Sequence, residues 1–246
     1  MYRFFVEQDQ IEEKVIHITG DDRNHIKNVL RMKIGEEILI SSGEKMEYHC
    51  AICTMNETEV LAEIRYVQET DLELASKIYL FQGLPKGDKM EFIIQKAVEL
   101  GVYQVIPVAS KRCIVKLDAK KEASKRRRWE AISESAAKQS KRMVIPEVTR
   151  VMSFTEAVEY AGKLDIRLIP YELAKGMTET KQLLESITPG QSIGIFIGPE
   201  GGFEEKEVEQ AKEAGIRPIT LGRRILRTET AGMTILSILM YLLEQA

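Results

Sequence analysis

The sequence predicts an α/β protein: a C-terminal domain built on a parallel sheet, preceded by a smaller β-rich domain. Three observations carry this. From residue 73 onward, short apolar runs alternate with amphipathic helical stretches, the pattern of a largely parallel sheet covered by helices on both faces. Residues 1–72 instead hold five strand-like runs and one short helical pattern. Near the C-terminus, at 192–203 and 216–231, two strand–loop–helix units follow one another, each with glycine in its loop.

In the first domain, strands are expected at 4–6, 15–18, 37–40, 48–54 and 59–67, with Ser42-Gly43 as a turn signal. Asp21 or Asp22 caps an expected helix over 24–30. Arg23, Lys27 and Arg31 are spaced by four, which on a helix puts three cations on one face. Such a stripe is ordinarily a solvated surface. In a domain with 8 Lys and Arg against 15 Asp and Glu, it is also a candidate phosphate contact, with Arg3 as a neighbour.

The second domain, 73–246, reads as strand 78–82, helix 90–100 ended by Gly101, strand 105–108 and a long basic helix over 118–142. Strand 166–169, helix 179–186, strand 193–197 and strand 216–221 follow, and Thr228 is the expected cap of a helix reaching Leu243. The long helix carries Lys120-Lys121 and Lys125-Arg126-Arg127-Arg128 just before Trp129, the only tryptophan. Each cation alone reads as solvated; together they are candidates for salt-sensitive phosphate contact.

The two glycine loops are the expected binding site. Gly198-Pro199-Glu200-Gly201-Gly202 can bend sharply and bring main-chain groups against a ligand with no Cβ in the way. The second loop, 222–227, adds three arginines. Loops at the carboxyl ends of neighbouring strands line one crevice in an open α/β sheet, and Pro170-Tyr171-Glu172 ends a strand at the same edge. Neither loop matches the dinucleotide fingerprint, which needs G-x-G-x-x-G, nor the P-loop, which ends in G-K-[ST].

The composition narrows the remaining classes. With 44% hydrophobic and 30% charged residues, the chain is expected to be globular, and its net charge of −3 means any nucleic acid is met by local patches. Residues 73–246 hold 27 Lys and Arg against 23 Asp and Glu. Cys50 and Cys53 form a C-x-x-C without a second pair or histidine cluster, and read as ordinary strand residues; no metal site is expected. The start M-Y-R-F-F-V is not a signal peptide and no apolar run reaches membrane length, so a cytoplasmic protein is expected. The apolar run 235–243 is expected to be a buried helix.

I-G-P-E-G-G-F followed by L-G-R-R-I-L-R-T-E-T-A resembles the SPOUT methyltransferases, and specifically the RsmE family, which methylates N3 of a uridine in 16S rRNA. The likeness spans nearly the whole chain. It includes the N-terminus, the segments 25–35 and 86–102, and Trp129, Gln139, Arg142 and Pro146. Two departures are Arg223, where the family commonly has proline, and Lys138, where many members carry an acidic residue.

The resemblance implies an N-terminal PUA-like β-barrel, a C-terminal SPOUT domain with a deep trefoil knot, bound S-adenosyl-L-methionine, and a homodimer acting on the small ribosomal subunit. Carried onto this chain, the cofactor is expected to meet Tyr171, Glu172, Gly198, Pro199, Glu200, Gly201, Gly202, Leu221, Gly222, Ile225, Leu226 and Thr230. Methylating N3 requires loss of a weakly acidic proton, which a nearby arginine can favour by stabilising the uridine anion. Arg227 is the expected residue, then Arg224, with Glu229 as a proton acceptor or an orienting group. RNA contacts are expected from Arg3, Arg23, Lys27, Arg31, Lys86, Arg112, Arg126, Arg127 and Arg142. The alternatives are an assembly factor with a vestigial cofactor site, or methylation of another RNA.

Overall fold

The computed structural model describes residues 1–43, 45–70, 72–171 and 176–244 and divides into two compact units. The first comprises Met1–Glu73 together with Ala137–Ile145; the second comprises Leu74–Ala136 and Pro146–Ala246.

The first unit is a curled five-stranded sheet in the order β1-β3-β4-β5-β2. Its strands are β1 (Tyr2–Phe5), β2 (Val15–Thr19), β3 (Glu37–Ser41), β4 (Met46–Met55) and β5 (Glu59–Glu69). Among the described strands of this unit, β1 and β3 pair in parallel and the other neighbours antiparallel. Register shifts at His49/Cys50 and Ile52/Thr54 bend β4 against the long β5, which is how a sheet curls over its own core. Phe4, Ile16, Ile18, Ile38, Ile40, Ile52 and Val60 fill that core, and Ile26 joins them from the helical segment. Cys50 is buried there, its thiol pushed up to about 12 by desolvation, and Cys53 donates to the Leu61 carbonyl at 3.3 Å. Both are strand residues.

The helical segment differs from expectation. Helix α1 (Gly20–Asn24) passes directly into a π-turn over His25–Val29. Arg31 then takes a left-handed φ of 53°, ending the helical path. The four-residue spacing therefore brings Arg23 and Lys27 together, both on Glu57, but not Arg31.

The second unit is a seven-stranded parallel sheet, ordered β12-β10-β11-β6-β7-β8, with β9 also on β7. Its strands are β6 (Lys77–Gly83), β7 (Gln104–Ala109), β8 (Glu147–Val148), β9 (Met152–Ser153), β10 (Ile166–Pro170), β11 (Ser192–Ile197) and β12 (Arg217–Ile219). The helices are α2 (Lys89–Glu99), α3 (Ala119–Gln139), α4 (Phe154–Ala161), α5 (Met177–Glu185), α6 (Glu205–Glu213) and α7 (Thr228–Leu243). Phe81 and Phe196 stack at 4.3 Å in the middle of the sheet, on adjacent strands whose runs are apolar on both faces. Ser153 caps α4 by accepting from the Glu156 main chain, while Glu156 reaches back to the Ser153 N–H.

Two expectations are corrected in this unit. Helix α3 ends at Gln139 rather than at 142. Helix α7 is buried along one face only: Ile235, Leu236 and Leu239 are inside, whereas Tyr241 is 82% exposed and Ile238 and Leu242 are exposed beside it. Among the described residues, no helix is long and apolar enough to cross a membrane.

Candidate active site

The carboxyl ends of β6, β10, β11 and β12 gather the loops that line a cavity of about 690 Å³, a size suited to a cofactor or nucleoside. Its first wall is the turn after β11. The Gly202 N–H donates to the Pro199 carbonyl at 2.9 Å, and Gly202 sits at φ 65°. A Cβ on Gly198 would lie 2.9 Å from the Gly202 Cα, so the turn closes tightly on itself. Its second wall is the loop after β12, where Gly222 has φ 115° and Thr220 braces the main chain around it.

Pro170 and Tyr171 at the end of β10, with Ile197, Leu221, Ile225 and Leu226, supply apolar lining. Among the described residues, the main-chain N–H groups of Leu221 and Leu226 make no hydrogen bond, so they remain available to a ligand. Apolar walls with a few free main-chain donors suit a flat heteroaromatic base such as adenine.

Of the expected cofactor residues, Tyr171, Gly198, Pro199, Glu200, Gly201, Gly202, Leu221, Gly222, Ile225 and Leu226 all line this cavity. Thr230, in the first turn of α7, does not. Glu172 lies outside the described residues. Arg224 and Arg227 line the cavity together with Arg223. Glu229 does not line it; its carboxylate lies 3.6 Å from the Lys89 ammonium.

Four residues at the site were not expected. Lys89 lines the cavity and pairs with Glu200 at 2.9 Å, joining the start of α2 to the first glycine turn. The Glu200 hydrogen bond raises the pKa of the Lys89 ammonium above its ordinary value. Burial alone would push the Glu200 carboxyl up, but hydrogen bonds from Lys89 and from main-chain N–H groups hold it below the usual range. Gly83 ends β6 against the first turn; a Cβ there would stand 2.6 Å from Pro199 Cδ and 2.7 Å from its nitrogen. The third and fourth, Gln82 and Thr228, meet in the interior. The Thr228 hydroxyl donates to the Gly198 carbonyl at 2.6 Å and accepts from Gln82 Nε2 at 2.9 Å. Thr228 is therefore the first residue of α7 and not its cap.

The expected RNA contacts divide into three groups. Arg3 and Arg142 are corrected: they are 5% and 6% exposed, held by Glu47 and Glu73. Arg3 also donates to the Arg142 carbonyl, and desolvation lowers its pKa. These two arginines are interior braces of the first unit. Arg23 and Lys27 are partly neutralised by Glu57, while Arg31 is exposed. Lys86, Arg112, Arg126 and Arg127 are exposed in the second unit. Arg112 lines the cavity, donating to the Gly201 carbonyl at 2.9 Å. Lys138 pairs with Asp22 at 2.5 Å in the first unit.

Comparison with known proteins agrees with this geometry. A family model described as an RNA methyltransferase domain matches residues 72–240, and one described as an RNA methyltransferase PUA domain matches residues 18–65. Ribosomal RNA small subunit methyltransferase E of Bacillus subtilis is 39% identical, the alignment covering 99% of this chain and 98% of that protein. The protein of the same name from Mesomycoplasma hyopneumoniae is 36% identical over 96% of this chain and 98% of its own. Among solved structures, the Neisseria gonorrhoeae ribosomal RNA small subunit methyltransferase E, bound to S-adenosyl methionine, superposes with a TM-score of 0.85 at 33% identity over 98% of both chains. A Legionella pneumophila protein with bound SAM gives a TM-score of 0.87 at 32% identity, covering 97% of this chain and 96% of its own. On these matches over nearly its whole length, the chain belongs to the RsmE family of SPOUT RNA methyltransferases.

Proposed function

We propose that this RNA methyltransferase uses S-adenosyl-L-methionine to methylate N3 of a specific uridine in the 16S rRNA of the small ribosomal subunit. The observation that carries this reading is the cavity that both glycine loops line together with Arg224 and Arg227. Its main-chain donors and apolar walls fit adenine, and its arginines fit an anion at the mouth. When bound, the cofactor supplies an electrophilic methyl group on a sulfonium. Arg227, with Arg224 beside it in the loop, favours the deprotonated uridine by stabilising charge spread over N3 and the flanking carbonyl oxygens. The N3 lone pair takes the methyl, the sulfur recovers its electron pair, and the N3 proton passes to solvent. Glu229 is not assigned as base, since it stands outside the lining and faces Lys89. A uridine in stacked RNA must be turned out to reach the cavity.

A deep trefoil knot, a cytoplasmic setting and a homodimer belong to the same proposal. The apolar side of α7 carrying Ile238, Tyr241 and Leu242 is the surface on which a second copy would pack. Sedimentation at micromolar concentration reads the dimer directly, and a monomer there would rule it out.

Arg227→Ala tests the chemical assignment. Transfer should fall by at least about a hundredfold, the scale of losing one preorganised charge-stabilising group, while cofactor affinity stays within about twofold. Retained transfer would remove Arg227 from the chemistry.

A further inference from the structure

We infer that Thr228 and Gln82 form a positioning clasp that sets the shape of the cofactor cavity, a deepening of the S-adenosylmethionine reading above. The clasp joins three distant parts of the chain: the end of β6, the turn after β11 and the first residue of α7. Gln82 Nε2 donates to the Thr228 hydroxyl and to the Gly83 carbonyl, both at 2.9 Å, and the Thr228 hydroxyl donates onward to the Gly198 carbonyl. Both side chains are buried.

Two local rules are broken to make this contact. Gln82 Oε1 is buried and, among the described residues, has no hydrogen-bond partner, a costly state for an amide oxygen. Helix α7 starts without a side-chain cap, although it opens on a threonine whose hydroxyl would serve as one a single residue earlier. Local rules given up together at one place mark a position held for function rather than for stability.

What the clasp holds is the cavity itself. Gly198 begins the first wall, and Thr228 directly follows Arg227 at the end of the second. Tying the Gly198 carbonyl to Thr228 fixes the distance between the walls and the place where Arg227 leaves the loop. Gly232, one turn along α7, faces the same amide: a Cβ there would meet Gln82 Oε1 at 3.8 Å, an ordinary contact distance.

The test is equilibrium titration of S-adenosylmethionine into the full chain, with melting temperature of the free protein recorded in parallel. Thr228→Val keeps the volume and removes the hydroxyl, and should weaken binding about tenfold, the effect of leaving a buried partner unsatisfied. Thr228→Ser should restore wild-type affinity. Gln82→Met, which keeps the length and removes the donor, should weaken binding in the same direction and serves if Thr228→Val does not fold. Wild-type affinity in the folded valine and methionine variants, with only the melting temperature lowered, would show a purely structural bond and overturn the inference. A wild-type protein that binds no S-adenosylmethionine would instead overturn the cofactor reading on which the clasp rests.

Discussion

Arg3 and Arg126 carry the same charge and do different work, because a guanidinium's surroundings decide its role. Arg3 is enclosed with Glu47 and hydrogen-bonded to the Arg142 carbonyl, so removing it leaves a buried carboxylate without its counter-charge. Arg3→Ala should cost about 3–5 kcal/mol in urea unfolding and leave the salt dependence of RNA binding unchanged in the folded fraction. Arg126 and Arg127 stand exposed on α3, where Arg126 pairs with Glu130 one turn away at 3.1 Å. Replacing either by alanine should leave stability within about 0.5 kcal/mol. It should also lower the slope of log K against log salt by about 0.7–0.9. An unchanged slope would take α3 out of the RNA contact. Composition counts both kinds of arginine alike, which is why the sequence assigns Arg3 and Arg142 to RNA and the structure assigns them to the interior.

At the scale of one element, α4 shows how a short helix is anchored beside the sheet. Ser153 and Glu156 satisfy one another's main-chain donors, and Arg150 adds an ion pair to Glu156 at 2.9 Å. The Ser153 N–H, then Arg150, then the Ser153 hydroxyl bring the Glu156 carboxyl down to about 2. Because the folded value is depressed from 4.5, the stabilisation is complete above pH 4.5 and is lost as the pH falls through about 2. Ser153→Ala should cost about 1 kcal/mol at pH 7. Glu156→Gln should lower the melting temperature at pH 7, with the gap to wild type closing as the pH falls from 4.5 to about 2. A gap independent of pH would mean that Glu156 acts by shape alone. The S-x-x-E pattern that makes this cap is local and legible from sequence. The π-turn at His25–Val29 and the left-handed Arg31 are not, because a four-residue spacing of cations reads the same on a helix that continues and on one that stops.

For the molecule as a whole, the legible part is what neighbouring residues dictate. Strand and helix alternation predicts the parallel sheet, and the G-P-E-G-G and G-R-R loops predict the two walls of the cavity. The parts that escape such reading depend on residues far apart in sequence. Gln82 and Thr228 are separated by 146 positions, Lys86 and Glu200 by 114, and Gly83 needs its missing Cβ only because Pro199 is packed against it. None of these leaves a mark in the local pattern. In the second unit the consequence is a site whose lining is announced by glycine, while contacts between distant residues, among them Gln82 with Thr228 and Lys89 with Glu200, tie its walls together.

Transfer of a methyl group to N3 of a uridine in small-subunit RNA is tested most directly by nucleoside analysis. Small ribosomal subunits from cells lacking the protein would be incubated with it and methyl-labelled S-adenosylmethionine, then digested to nucleosides. Label is expected in 3-methyluridine, from one position of 16S rRNA, and at least about a hundredfold less with Arg227→Ala. Label in any other nucleoside, or none while the cofactor still binds, would contradict the proposed reaction.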